Sequence, residues 1–246
     1  MRRIITTAFI SLDGVIQAPG GPQEDPTGGF EYGGWTTTYG DEAIGAAIGE
    51  GMSRPFDLLL GRNTYDIFAA HWPYIATDPS SDGYEPGEAG IAQTFNRATK
   101  YVATHEPDTL TWENSRWLGK GVVAAVRDLK KEDGPALQIW GSSNLVQQLL
   151  AADLVDEFQL MIYPLVFGRG KRLFGDGTMP AALELQTSQA STSGVIIATY
   201  RRGGEIKTGT FERAEPSKAE LERRRKLKQV QMPARRAGIA SRAEVC

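Results

Sequence analysis

Two short segments combine a glycine with small polar side chains, and both have the residue types that bind phosphate groups. The first is Gly61-Arg62-Asn63-Thr64 and the second is Gly141-Ser142-Ser143-Asn144. A glycine lets the backbone approach a ligand closely, and Arg62 adds a forked cation that suits a phosphate. Two such segments in one chain favour a ligand that carries two or more phosphates. Taken singly, each segment is explained equally well by helix capping, which is the commonest task of Ser, Thr and Asn.

The elements around these segments place both of them at strand ends. Residues 57–60 and 136–140 are apolar runs that predict strands, and helical patterns follow them to about residue 70 and over residues 142–151. A third predicted strand, at residues 3–12, ends at Asp13-Gly14, a pair typical of turns. Ligands of α/β sheets lie beyond the carboxyl ends of strands, where a helix N-terminus attracts anions. The three strand ends are therefore the candidate sites for chemistry.

The remaining pattern predicts an α/β fold with a mixed sheet. Strands separated by single helices come early and paired strands come late, an order that predicts a mostly parallel sheet with an antiparallel C-terminal edge. The further predicted elements are a helix at 41–52, one or two helical turns at 91–97, a strand at 100–104, a short edge strand at 109–113, a helix at 121–131, a strand at 154–163, and a hairpin of strands 195–201 and 206–211 around Gly203-Gly204.

The composition predicts one domain with a basic tail. The chain has 246 residues, of which 41% are hydrophobic, enough for one sizeable core. Residues 214–246 hold nine Lys and Arg against four Glu, so we expect a domain at 1–213 followed by a solvated helix or a disordered extension. No apolar run is long enough for a membrane helix, and the first residues alternate like a strand, which predicts a soluble cytoplasmic protein.

Several familiar chemistries lack their motifs in this chain. The only cysteine is Cys246 and the only histidines are His71 and His105, so a disulfide framework is excluded within one chain and no metal site is predicted. Gly168-Arg169-Gly170 follows a strand, but Leu173 occupies the place of the third glycine of a dinucleotide fingerprint, so a Rossmann site is rejected. The usual serine-hydrolase, P-loop and zinc-protease motifs are also absent.

A long loop rich in Gly and Pro, residues 17–40, carries four aromatic residues, which favours a binding role over disorder. Trp35 and Tyr39 of this loop, together with Tyr65, Phe68 and Trp72, suit a flat heterocyclic substrate. Tyr65, Phe68 and Trp72 also have helical spacing, so core packing is an alternative for these three. Both interpretations stay open at this point.

Four segments that occur in a fixed order resemble a known family. They are SLDGVI at residues 11–16, LLLGRNTYDIF at 58–68, IWGSSNLVQQLL at 139–150 and LVDEFQLMIYPLVFGRGKRLF at 154–174. Together they resemble the dihydrofolate-reductase-like superfamily, and within it the reductase domain of the riboflavin-biosynthesis deaminase/reductase and its stand-alone relatives. The resemblance covers roughly residues 2–202. It implies a three-layer fold, NADPH as the cofactor, a small-molecule substrate and a homodimer.

The resemblance also implies which residues bind NADPH. The corresponding residues are Ala8 and Ile16 beside the nicotinamide, Thr104 and His105 near the adenosine ribose, Gly61, Arg62, Asn63 and Thr64 at the adenosine end and the pyrophosphate, and Gly141, Ser142, Ser143, Asn144 and Leu145 in the turn against the pyrophosphate. Among them, Arg62 is the candidate for the adenosine 2'-phosphate. An exposed loop histidine without a role is the simpler interpretation of His105. The family often has a second glycine where this chain has Ser142.

The activity implied by the resemblance is hydride transfer from NADPH to a small heterocyclic, carbonyl or imine substrate, as in 5-amino-6-(5-phosphoribosylamino)uracil reductase. Asp13 corresponds to an aspartate near the substrate and is the candidate catalytic residue, although the first position of a turn explains it equally well. The carboxylate of true dihydrofolate reductases falls at Gly45, so dihydrofolate is not the expected substrate. Arg169, Lys171 and Arg172 are candidates for a substrate phosphate by composition only, and a solvated face is the simpler interpretation.

A second hypothesis is a non-catalytic protein of the same fold that binds a nucleotide and uses its basic tail to engage a partner or nucleic acid. The basic run at residues 223–228 has no interleaved aromatic residue, so nucleic-acid binding is not expected. Turnover of the reduced cofactor separates this hypothesis from the enzyme.

Overall fold

The computed structural model describes residues 1–176, 178–212 and 215–228. Its Cα positions cluster into two compact units, Met1–Ile206 and Lys207–Cys246. The boundary predicted from the sequence follows residue 213, and so lies a short way beyond the end of the first unit. In the described ranges no helix has both the length and the apolar character that a membrane crossing requires.

Eight strands form one mixed sheet. They are β1 (Ile4–Ser11), β2 (Phe56–Gly61), β3 (Lys100–Ala103), β4 (Ser115–Trp117), β5 (Ala136–Trp140), β6 (Glu157–Tyr163), β7 (Leu183–Ala190) and β8 (Ile196–Arg202). Their order across the sheet is β4-β3-β2-β5-β1-β6-β8-β7. β1 to β6 pair in parallel, whereas β8 is antiparallel to both β6 and β7. This confirms the predicted mixed sheet with its antiparallel C-terminal edge.

Helices cover both faces of the sheet. They are α1 (Glu42–Met52), α2 (Arg62–Ala69), α3 (Pro86–Arg97), α4 (Val122–Lys131) and α5 (Ser143–Ala151). Successive residues of a strand point to opposite faces. In β2, Leu59 packs in the apolar cluster that contains α4 and α5, whereas Leu58 and Leu60 pack in the cluster that contains side chains of α1, α2 and α3. β2 is therefore buried on both faces, and the domain has three layers.

The predicted edge strand at residues 109–113 is wrong. Residues Pro107–Thr109 form a 3-10 helix, and the edge strand β4 begins only at Ser115. Trp112 explains the shift, because its backbone N–H donates to Tyr65 Oη (2.9 Å) and its indole N–H donates to Asn96 Oδ1 (2.8 Å). Hydrogen bonds to side chains of α2 and α3 therefore replace the strand pairing that was predicted at this position.

The predicted C-terminal hairpin is also wrong in one of its strands. β8 matches the predicted strand at 195–201, but it pairs with β7 at Leu183–Ala190, and residues 207–212 form no strand. The turn of the observed hairpin lies at residues 191–194, where Gly194 has a φ of +87°. Gly203 lies beyond the hairpin and donates its N–H to Ala182 O (2.9 Å). Alternation alone does not decide which of two strand-like segments pairs with β8.

The helical turns predicted at residues 91–97 are part of a longer helix. α3 begins at Pro86, which occupies the first helical position, where a missing N–H costs nothing. Its inner face buries Ala89, Ala92 and Phe95. The preceding residues are rich in glycine and proline, which predict a loop, so the periodicity of the sequence does not show where α3 begins.

The basic tail is described only in part. Residues 218–228 are helical, and residues 229–246, which include Cys246, lie outside the described residues. In the helical part Glu220 forms ion pairs with Arg223 (2.6 Å) and Arg224 (2.8 Å), and Lys226 pairs with Glu222 (3.6 Å). Much of the positive charge in this helix is therefore matched by neighbouring carboxylates.

Candidate functional site

A large cavity lies at the carboxyl ends of β1, β2, β3 and β5. Its volume is about 1520 Å³, and its lining includes the last residue of β2 (Gly61), of β3 (Ala103) and of β5 (Trp140). Pockets that bind drug-sized ligands have volumes of roughly 300–1,000 Å³. A cavity above that range, at the strand ends where α/β sheets bind their ligands, has room for a dinucleotide and a second molecule.

The two glycine-containing segments meet at this cavity and are hydrogen-bonded to each other. Ser142 Oγ accepts the backbone N–H of Gly61 (2.9 Å) and donates to Thr64 Oγ1 (2.7 Å). A Cβ on Gly61 would lie 3.2 Å from the same hydroxyl, so a larger residue does not fit there without displacement. Gly141 and Ser142 both have positive φ, +83° and +64°. The strand-to-helix turns after β2 and β5 thus form one continuous polar wall.

Arg62 brings a positive charge to the rim of this wall. Its Nε donates to Asp66 Oδ2 (2.8 Å), its Nη1 also contacts Thr109, and Glu106 Oε2 lies 3.7 Å from Nη1. The hydrogen bond with Asp66 raises the pKa of Arg62 further above its already high value. The guanidinium is therefore held in a defined position while its side chain still lines the cavity.

All the residues that the resemblance assigns to the cofactor line this one cavity. They are Ala8, Ile16, Gly61, Arg62, Asn63, Thr64, Thr104, His105, Gly141, Ser142, Ser143, Asn144 and Leu145. They come from four strand ends and lie far apart in the sequence. Their role as ligands of a cofactor stays a prediction, but the fold brings every one of them to the same surface.

Gly119, Lys120 and Gly121 also line the cavity and were not predicted from the sequence. They precede α4, so the helix N-terminus and one lysine face the same space as the two other turns. Their signal in the sequence is a lysine between two glycines directly before a predicted helix. This signal is weak, because solvent-exposed loops have the same composition.

The long loop at residues 17–40 contributes backbone and charge to the cavity rather than aromatic rings. Its lining residues are Gln17, Ala18, Pro19, Gly20, Gly21, Glu24, Asp25 and Thr36. Trp35 does not line the cavity: its indole N–H donates to Gln17 O (2.8 Å), and its ring contacts Tyr163 edge-on at 5.0 Å between centroids. Tyr39 also packs edge-on against Tyr163, at 5.5 Å. Both rings therefore stabilise the loop by packing against Tyr163, and neither lines the cavity.

The two aromatic candidates on α2 are divided between the core and the cavity. Tyr65 is only 1% exposed, does not line the cavity, and accepts a hydrogen bond from Trp112 N. Phe68 lines the cavity and stacks on Phe95 at 5.5 Å between centroids. Of the five aromatic residues predicted to suit a flat substrate, the structure brings Phe68 and Trp72 to the cavity.

Asp13, the candidate catalytic residue, does not line the cavity and joins two loops instead. Its carboxylate accepts hydrogen bonds from Ser11 Oγ (2.6 Å), Gly168 N (2.8 Å) and Phe167 N (3.2 Å). Burial opposes its ionisation, but these three donors together lower the pKa of Asp13 below its usual value. Asp13 therefore links its own turn to the backbone after β6, and its role as a catalytic residue stays a prediction.

The basic residues after β6 are mostly engaged by carboxylates. Arg169 pairs with Glu31 (3.0 Å), and Arg172 lies 3.6 Å from Asp13. Lys171, the only member of this trio that lines the cavity, pairs with Asp25 at 2.5 Å. In the part of the chain that the structure describes, no cluster of three or more His, Cys, Asp or Glu residues is arranged to hold a metal ion.

Comparison with known proteins assigns this geometry to a family. The family model for the RibD C-terminal domain matches residues 2–197, most of the chain. The chain belongs to the RibD C-terminal domain family. The sequence is 26% identical over 207 residues to the uncharacterized protein YyaP of Bacillus subtilis, covering 82% of this chain and 96% of YyaP. The family resemblance seen in the four sequence segments is therefore confirmed.

Solved structures show the fold of this RibD C-terminal domain in other proteins. A "Putative riboflavin biosynthesis protein" from Shewanella sp. PV-4 aligns with a TM-score of 0.51 at 20% identity and covers 81% of this chain and 98% of its own. A dihydrofolate reductase from Enterococcus faecalis, complexed with NADP(H) and RAB-propyl, aligns with a TM-score of 0.48 at 16% identity and covers 82% of this chain and 96% of its own. The Shewanella structure thus shows the fold, and the activity is a separate question.

Proposed function

We propose that this RibD C-terminal domain is an NADPH-dependent reductase of a small heterocyclic, carbonyl or imine substrate. One observation supports the proposal above all others: the turns after β2 and β5 open side by side onto a single cavity, joined through Ser142 Oγ. Each turn leads into a helix whose first N–H groups have no partner within the helix. Two such helix starts, with Arg62 beside one of them, match the charge pattern of a dinucleotide.

The residues present fit NADPH in size and in chemistry. Gly61 and Gly141 keep the backbone accessible, and the positive φ of Gly141 is one that a glycine adopts without strain. Ala8 and Ile16 supply small apolar surface from β1 and the loop after it, where a nicotinamide ring would be held. When bound, NADPH supplies a hydride. The protein's own residues bind both molecules, orient them and exclude water.

The remaining surface of the cavity suits a flat substrate. Phe9, Phe68, Trp72, Phe95 and Trp140 all line it. Dihydrofolate itself is not proposed, because Gly45 lies exposed on α1 and has no side chain that could hold a protonated ring. An aminopyrimidine related to the riboflavin pathway is the substrate class that we favour within this general reaction.

Cofactor binding is the first test. We expect NADPH to bind with micromolar affinity and to show enhanced nicotinamide fluorescence, because the ring enters an apolar site. Titration of the full chain with NADPH and, separately, with NADH measures both affinities. Absence of binding at high micromolar NADPH would refute the proposal.

Turnover is the second test. Loss of reduced-nicotinamide absorbance with a panel of ketones, imines and aminopyrimidines would establish the reductase. Binding without turnover across that panel would favour the non-catalytic nucleotide-binding protein instead. The homodimer implied by the resemblance stays a prediction that sedimentation of the same sample tests.

A further inference from the structure

Glu24 is a half-buried carboxyl on the wall of the cavity, and its two oxygens have different surroundings. Oε2 accepts the backbone N–H groups of Gly20 (2.6 Å) and Gly21 (3.2 Å). Oε1 accepts no hydrogen bond from any described residue. The carboxyl is therefore anchored through one oxygen and has a second oxygen available for a ligand.

The turn that carries Glu24 is rigidly braced. Gly33 packs so closely that a Cβ there would lie 2.5 Å from Gly21 O. Gly34 donates its N–H to Ala18 O (2.8 Å), and Thr36 Oγ1 donates to Pro19 O (2.8 Å). A side chain held by such a support keeps one orientation without a ligand, which lowers the entropic cost of binding.

Glu24 also differs from its charged neighbours because it lacks a cation. Asp25 is paired with Lys171 at 2.5 Å, and Glu106 lies 3.7 Å from Arg62. Glu24 forms no ion pair with the described residues. Burial raises the pKa of the Glu24 carboxyl, against the opposing effect of the Gly20 and Gly21 N–H groups. A partly desolvated carboxylate of this kind is stabilised when a ligand brings N–H donors and positive charge.

The same cavity also has aromatic walls, so an anionic group and flat apolar surfaces line one open cavity. Phe68 stacks on Phe95, and Trp140 packs edge-on against Phe95 at 5.8 Å. A ligand that satisfies both features is a planar ring that carries a cationic or strongly N–H-donating edge. A neutral apolar ring would satisfy only the walls.

We propose that Glu24 is the residue that positions and selects the substrate, by accepting a hydrogen bond from a flat nitrogen-containing ring with an amidine-type edge, in which two N–H groups are attached to one carbon. The inference rests on the proposed reductase function, because it concerns the substrate of that same site. Glu24 takes no part in hydride transfer and acts as a positioning residue.

A matched pair of probes tests this role. Benzamidine carries a cationic amidine edge, whereas benzamide is a neutral ring of the same shape. In the NADPH-saturated wild-type protein we expect benzamidine to bind about 10-fold more tightly than benzamide, because a charge-assisted hydrogen bond replaces a neutral one. In Glu24→Gln we expect that preference to fall to about 2-fold or less. Titration calorimetry measures both affinities for each protein.

The controls separate recognition from structure. Gln keeps an oxygen that accepts the Gly20 and Gly21 N–H groups, so the turn is preserved. The ratio of the benzamidine and benzamide affinities does not change if the substitution weakens the binding of both probes equally. Glu88→Gln is the matched variant, because Glu88 lines the same cavity but is exposed on α3. We expect Glu88→Gln to keep the wild-type preference.

Two results would overturn the role of Glu24: equal affinity of the wild-type protein for the two probes, including no binding of either, or an unchanged preference in Glu24→Gln. The probes are also titrated without NADPH. If NADPH fails to bind while the benzamidine preference depends on Glu24, the proposed reductase function fails and the inference about Glu24 stands. If NADPH binds and the preference does not depend on Glu24, only the inference fails.

Discussion

Arg62 is positioned by residues of its own helix and of the loop after β3. Asp66 and Glu106 hold the guanidinium in place, so its charge is offered to the cavity at little cost in side-chain entropy. Both carboxylates also compete for the same cation. The net contribution of Arg62 to cofactor binding is therefore the gain from a phosphate contact minus the loss of its contacts with these carboxylates. We expect a moderate effect of Arg62 on the affinity for NADPH.

At Arg62 we predict a loss of discrimination between the cofactors. Arg62→Ala should weaken NADPH binding about 10-fold while changing NADH binding little, because only NADPH carries the phosphate that a guanidinium holds. Fluorescence titration with both cofactors measures the ratio. Arg97→Ala is the control, since Arg97 is exposed at the end of α3 and does not line the cavity. An unchanged NADPH-to-NADH ratio would remove Arg62 from this role.

Ser142 combines a left-handed backbone with a hydroxyl that joins two turns. Both Ser142→Ala and Ser142→Gly lose the acceptor of the Gly61 N–H, which should cost about 1 kcal/mol of unfolding free energy. Alanine must also adopt the φ of +64°, which adds about 1 kcal/mol relative to glycine. Serine already pays the same backbone cost at this φ, so glycine regains about what it loses with the hydroxyl. Urea unfolding should therefore place Ser142→Gly close to the wild type and Ser142→Ala about 1 kcal/mol below both. Equal stability of the two variants would contradict this account. Ser143→Ala, whose hydroxyl forms no hydrogen bond with described residues, is the control.

At the scale of elements, the loop at residues 17–40 is held by close packing between its two halves. A Cβ on Gly33 would meet Gly21 O at 2.5 Å and Pro22 Cα at 2.8 Å, and both are backbone atoms. Such overlap forces the backbone to move. The loop's rigidity, on which the position of Glu24 depends, therefore requires a glycine at residue 33.

We predict opposite effects for two glycine-to-alanine substitutions. Gly33→Ala should destabilise the protein by about 1–3 kcal/mol and increase proteolysis of the loop, because overpacking displaces it. Gly45→Ala should stabilise it by about 0.5–1 kcal/mol, because Gly45 lies exposed inside α1 with nothing within 4 Å of an added Cβ. Thermal unfolding and limited proteolysis check both. A Gly33→Ala protein as stable as the wild type would show that the loop can yield.

Asp41 connects α1 to the turn between β7 and β8. Its Oδ1 accepts the N–H of Ile44 (3.0 Å), and its Oδ2 accepts Thr192 Oγ1 (2.9 Å) and Ser193 N (3.1 Å). The Ile44 N–H, with smaller contributions from the turn, holds the pKa of Asp41 well below its usual value of 3.8. One carboxylate thus caps a helix and positions the edge hairpin.

The lowered pKa of Asp41 makes a prediction about pH. A group whose pKa is lower in the folded state stabilises the fold above its unfolded pKa, and this stabilisation declines as the pH falls below that value. Asp41→Ala should therefore have a lower melting temperature than the wild type at pH 5–7, and the difference should shrink below about pH 4. Melting curves across this range test the prediction. Asp82→Ala, at an exposed site without hydrogen bonds to described residues, should match the wild type throughout.

At the scale of the whole molecule, the cavity belongs to one compact unit. Every residue that lines it lies within Met1–Ile206. We therefore predict that removing residues 207–246 leaves the affinity for NADPH unchanged, as measured by the same fluorescence titration. Circular dichroism of the shortened chain confirms that it is folded. A large loss of affinity in a folded, shortened chain would show that the second unit contributes to binding.

Much of this architecture is determined by local sequence. The apolar runs of β2 and β5, each followed by a glycine, small polar residues and a helical pattern, specify a strand-to-helix turn through interactions among neighbouring residues. The mixed sheet follows from the order of such units along the chain. Strands separated by single helices, which come early, favour parallel pairing, and consecutive strands, which come late, favour antiparallel pairing. The positions of both polar turns were therefore predictable without any long-range contact.

Tertiary structure decided what depends on residues that are distant in sequence. Three examples join segments whose contact the local pattern does not predict. β8 pairs with Leu183–Ala190, Trp35 and Tyr65 are buried, and Asp13 accepts a hydrogen bond from the backbone of Gly168. Glu24 is part of this group, since only the folded loop brings its carboxyl to the cavity. Side-chain type shows what a residue can do, but burial and the partners that pack against it decide whether it faces a neighbour or a ligand.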